Sequence, residues 1–105
     1  MNANKLARKI RNMDFQEIHE RLFAKAKESI ALIVKENDEF QAFFDAHEIS
    51  FCAGLNIIVV GYPHRISFDE WIDLYIDKPA IKKVGYYRYI ADLDLNPIDD
   101  FFVIL

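Results

Sequence analysis

From Phe15 onward, Ile18, Leu22, Ala26, Ile30 and Ile33 return every three or four residues. That spacing predicts one helix reaching about Lys35, roughly 30 Å long at ~1.5 Å per residue. Its start is marked twice. Asp14 can cap the first amides with Glu17 as reciprocal partner, and Met13 and Ile18 stand where a hydrophobic staple needs them. Near its end "SIALIVK" is apolar all round, so the last turns are expected to be covered on several sides. Ahead of it, Leu6, Ile10 and Met13 give residues 4–12 a short amphipathic helix with its bases on the other side. Beyond the break at "ENDEF", Asn37 or Asp38 can cap a third helix carrying Phe40, Phe43 and Phe44 on one face.

The period then shifts. In "ISFCAGLNIIVVGY" the odd positions Phe51, Ala53, Leu55, Ile57 and Val59 are apolar, while Ser50, Cys52 and Asn56 lie opposite. This is a strand bent at Gly54, or two short strands paired through Gly54-Leu55-Asn56. "GYPH" turns the chain. "ISFDEWIDLYID" then offers a capping box in Ser67 and Glu70, a staple in Ile66 and Trp71, and a stripe of Phe68, Trp71, Ile72, Tyr75 and Ile76. It therefore reads as an inserted helix ended by Pro79, with Trp71 buried and Asp69, Glu70, Asp73 and Asp77 on its solvent face. From Val84 to Leu95 alternation returns, and a strand with Tyr87, Tyr89 and Ala91 inside is expected. The last six residues, Asp100 to Leu105, are apolar on both faces and read as a central strand. The predicted class is α+β: N-terminal helices packed on a small, mostly antiparallel sheet of three or four strands, in a single domain over residues 1–105.

Composition sharpens this picture. At 105 residues and 52% apolar, with nine phenylalanines, the chain has the side chains to offset the entropy of ordering its backbone. No apolar run exceeds five residues, against the ~20 that cross a bilayer, and no leader is evident. A single cysteine, Cys52, makes no internal disulfide and fits a reducing compartment, so a cytoplasmic location without membrane association is expected. The first thirteen residues hold Lys5, Arg8, Lys9 and Arg11 and no acid, which leaves 17 acids against nine bases in the rest. Such an acidic body repels phosphate backbones and favours basic proteins.

Candidate chemistry is sparse. Asp92, Asp94 and Asn96 share the spacing of a calcium loop, but Pro97 occupies the glycine position and Val103 the position of the bidentate glutamate. Cys52 could act as a nucleophile only with an imidazole beside it, from His47 or His64, and nothing in the sequence joins them. His19, His47 and His64 show no ligand spacing, and the three glycines form no phosphate loop. No enzyme, metal or cofactor is expected. Two classes stay open. The favoured one is a protein-binding module of inhibitor, immunity or regulatory type that offers Asp69, Glu70, Asp73 and Asp77, with Tyr86 and Arg88, to a basic protein. The other is a nucleic-acid-associated protein using the basic N-terminal helix with Lys82, Lys83, Tyr86 and Arg88.

Overall fold

In the computed structural model, which describes residues 3–60 and 65–105, three helices precede four strands. They are α1 (Ala3–Arg11), α2 (Phe15–Glu36), α3 (Asp38–Ala46), β1 (Ile49–Val60), β2 (Arg65–Ile76), β3 (Lys82–Ala91) and β4 (Pro97–Ile104). The strands form one antiparallel sheet in the order β1-β2-β3-β4. The α+β class holds, with helices gathered against the sheet. The "GYPH" turn at 61–64, with His64, lies outside the described residues.

The helical half follows its sequence signals. Asp14 accepts the Glu17 amide at 3.1 Å and Asn37 accepts that of Phe40 at 3.1 Å, so both predicted caps work. Leu22, Ala26 and Ile30, four residues apart, are the buried line of α2, and Met13 and Ile18 pack half-buried beside it. They meet Phe68, Ile72, Leu74, Tyr87, Tyr89 and Ala91 from the sheet. The rings of Phe40 and Phe44 close one end against Phe102, at 4.9 and 6.4 Å between centroids. Coverage of the last turns of α2 is one-sided, however: Leu32 stays 58% exposed.

The segment expected as an inserted helix is the strand β2. Its apolar residues fit both periods, because Phe68, Ile72 and Ile76 are four apart and also share parity. Pairing decides for the strand: β2 is hydrogen-bonded on both sides, to β1 through all of its twelve residues and to β3 from Phe68 to Ile76. In this position Ile66, Phe68, Glu70, Ile72 and Leu74 turn toward the helices, and Ser67, Asp69, Trp71, Asp73 and Tyr75 turn away from them. Neither the Ser67–Glu70 box nor the Ile66–Trp71 staple forms, and Trp71 leaves the core.

One strand reading is decided and two change. Residues 49–60 make one continuous strand, the first of the two alternatives, and not a hairpin at Gly54. Gly54 faces the Trp71 ring, and a Cβ there would stand 3.4 Å from it, in ordinary van der Waals contact. The third strand keeps its inward Tyr87, Tyr89 and Ala91 but stops at Ala91. Asp92 accepts the amides of Asp94 and Asn96, both at 2.9 Å, which makes a turn of the calcium-like spacing. Leu95 closes that turn in the left-handed region at φ 66° and is held there with its side chain in the core. The final strand is not central. β4 lies at an edge, and Phe101 is 47% exposed because, among the described residues, no strand or helix covers its side of the sheet.

Gly85 is required by close approach. A Cβ on it would lie 2.4 Å from the Val103 carbonyl oxygen and 3.2 Å from Ile104 Cδ1, on the strand that must stay hydrogen-bonded to it. Gly85→Ala is therefore expected to push β4 outward and cost about 1–3 kcal/mol. Urea unfolding checks this, and an unchanged midpoint would mean that β4 shifts freely.

Candidate functional site

The helices cover one face of the sheet and leave the other to solvent. On the uncovered face, register places Gly54, Trp71, Arg88 and Phe101 in one row across the four strands, and Cys52, Asp73, Tyr86 and Val103 in the next. Asn56, Asp69, Trp71, Lys83, Tyr86 and Arg88 line a shallow depression of about 330 Å³ there, with no helix residue among them. Trp71 forms one wall and Tyr86 stands beside it, each half-buried.

Two ion pairs occupy the floor. Asp69, 1% exposed, receives Arg88 in a two-pronged contact: Nε lies 3.1 Å from Oδ2 and 3.3 Å from Oδ1, and Nη2 also donates to Oδ2. This carboxylate raises the Arg88 pKa above its ordinary value. Asp73, 5% exposed, has Lys83 Nζ 2.9 Å from Oδ1. That distance serves the charge although the alignment falls short of a hydrogen bond. The Lys83 ammonium also stands 5.5 Å from the Tyr86 ring centroid. Cations and carboxylates are thus matched one to one, and the depression is aromatic and locally neutral.

The opposite face holds a third pair. Glu70, fully buried, meets His19 of α2, whose Nδ1 lies 2.8 Å from both carboxylate oxygens. One ring nitrogen carries at most one hydrogen, so Oε1 takes the bond and Oε2 is left without a partner. Burial pushes the Glu70 carboxyl up to about 7, against the opposing pull of the His19 contact.

The predicted acidic row is therefore dispersed. Asp69 and Asp73 lie on the uncovered face, neutralised; Glu70 is in the core; Asp77 follows β2, exposed, beside His47 and Lys78. Four of the six expected partner-binding residues, Asp69, Asp73, Tyr86 and Arg88, do come together, but through a sheet face. Sequence reasoning missed Trp71 as their neighbour and grouped Lys83 with Tyr86 and Arg88 only in the nucleic-acid reading; the period-two set Phe68, Ile72 and Leu74, interrupted at Glu70, is the signal that would have turned Trp71 outward. Cys52 points to the uncovered face, whereas the His47 ring packs tilted against Phe43, 4.5 Å between centroids, with Nδ1 3.0 Å from the Phe43 carbonyl oxygen, so the two do not form a pair. Among the described residues no group of three metal-ligating side chains converges, and no helix is long and apolar enough to cross a membrane. Comparison with known proteins finds no matching family model, no matching curated protein and no matching solved structure.

Proposed function

We propose that this chain is a small, non-enzymatic protein-binding module of inhibitor, immunity or regulatory type, and that it takes its partner on the uncovered face of the sheet. The observation that carries the reading is the adjacency of Trp71, Tyr86 and Arg88 on that face, with Trp71 opposite Arg88 and Tyr86 opposite Asp73 in the register. Trp, Tyr and Arg are the residue types that dominate binding energy in protein interfaces, where a rigid ring or guanidinium is desolvated in a shallow pocket. Phe101, exposed on the same row, extends the apolar area. The net charge of -4 still favours encounter with a basic protein, although the anchors themselves are aromatic.

Nucleic acid fits this face less well. A phosphate at Arg88 or Lys83 would compete with Asp69 or Asp73, the buried carboxylates that these cations already neutralise. The test is affinity capture from the native host with cross-linking, followed by titration of the identified protein. Trp71→Ala should weaken binding at least thirtyfold, the ~2 kcal/mol of an interface hot spot, with the circular dichroism unchanged. Equal affinity in the variant would overturn the reading. Steeply salt-dependent binding to generic DNA or RNA by the parent would favour the nucleic-acid class instead.

A further inference from the structure

We propose that two copies of this chain associate through β1, antiparallel about a twofold axis at Leu55, and so form one eight-stranded sheet. β1 pairs with β2 along its whole length and, among the described residues, has no strand on its other side. Every second residue of that side therefore presents an unpaired amide and carbonyl, over a strand roughly 40 Å long. Its twelve residues include no charged side chain and no proline. The other edge is built differently: β4 begins with Pro97 and carries Asp99 and Asp100, the devices that stop an edge from pairing.

The identity of the occupant follows from register. A twofold axis perpendicular to the sheet pairs residues of equal parity, so the helix-facing side chains of one copy meet those of the other. With the axis at Leu55, Ala53 faces Ile57 of the second copy and Phe51 faces Val59. Among the described side chains of β1, Phe51 and Val59 are the exposed large apolar ones, at 37% and 44%. This one register covers both, twice over, and brings no like charges together. It also brings Val59 over Phe51 where Phe51 walls a groove of about 390 Å³ shared with Ala31 and Phe44. Eleven facing positions supply about ten backbone hydrogen bonds, the number carried by a typical interface. A strand from an unrelated protein could make those bonds, but the Phe51–Val59 match is written in this chain's own sequence. The inference does not depend on the proposed partner site: both uncovered faces lie on one side of the enlarged sheet and stay accessible.

Sedimentation equilibrium on the purified chain should give twice its 12.3 kDa mass. Phe51→Lys with Val59→Lys places like charges opposite each other and should yield a monomer, whereas Phe51→Lys with Val59→Glu makes each facing pair complementary and should restore the dimer. Circular dichroism on both variants verifies the fold, and the second variant also guards against simple loss of structure. A parent that is monomeric at every concentration, a dimer unmoved by the two lysines, or failure of the Lys–Glu variant to dimerise while folded would overturn the proposal. Trp71→Ala should remain dimeric, which separates this surface from the partner-binding face.

Discussion

Arg88→Ala should lower the stability of the chain by about 3 kcal/mol, the low end of what breaking a buried ion pair costs. The loss originates at Asp69. Its carboxylate is 1% exposed, and the guanidinium is its charged partner. Lys83, the nearest replacement cation in the depression, is already committed to Asp73. Arg88 itself is 42% exposed along its side chain, so solvent screens the pair from the arginine end and keeps the figure low. Adding Asp69→Asn to the alanine variant removes the stranded charge and should recover most of the loss. Urea unfolding of the parent, both single variants and the double variant gives the coupling directly. If Arg88→Ala unfolds with the parent, the pair behaves as an ordinary surface contact and Arg88 is free to serve a partner at no internal cost.

The sequence was readable where one period alone fitted. The stripe of α2 has no alternating solution, its start carries a cap, and helix and boundary both emerged within a residue or two. Across 66–77 Phe68, Ile72 and Ile76 satisfy both periods, and Ser67 with Glu70 mimics a helix start. What settles that segment is hydrogen bonding to strands before and after it in the chain, a long-range fact that local pattern does not carry. The candidate site inherited this ambiguity. Alternation alone places Tyr86 and Arg88 on an outward row, where they are found, while the helical stripe requires Trp71 inward. The position of β4 was similarly hidden: a strand apolar on both faces signals two covered faces only if both faces have cover, and Phe101 stands on the side that has none.

Stability should fall as pH rises from about 5 to 8, in the direction set by Glu70. Its carboxyl is raised from 4.5 to about 7, chiefly because burial disfavours the charged form; the His19 contact acts the other way, and Asp69 adds to the rise. The folded chain therefore holds a proton that the unfolded chain has released between these values. Below pH 4.5 both states are protonated and Glu70 contributes nothing; between 4.5 and 7 each step upward favours the unfolded state; above 7 the loss is complete, at about 3 kcal/mol by the ~1.36 kcal/mol per pKa unit of linkage. Asp92 acts in the opposite sense and in another window. The amides of Asn96 and Asp94 hold its carboxyl below the ordinary 3.8, so its contribution is lost only in stronger acid. Glu70→Gln keeps the size of the side chain and an oxygen for His19 while deleting the charge. It should flatten the profile between pH 5 and 8, and at pH 8 it should unfold at higher urea than the parent, because the buried unpaired Oε2 of an ionised carboxylate is gone. A parent profile that is flat over this range, or a glutamine variant that is less stable at pH 8, would show that the His19 contact alone keeps Glu70 comfortably ionised in the core.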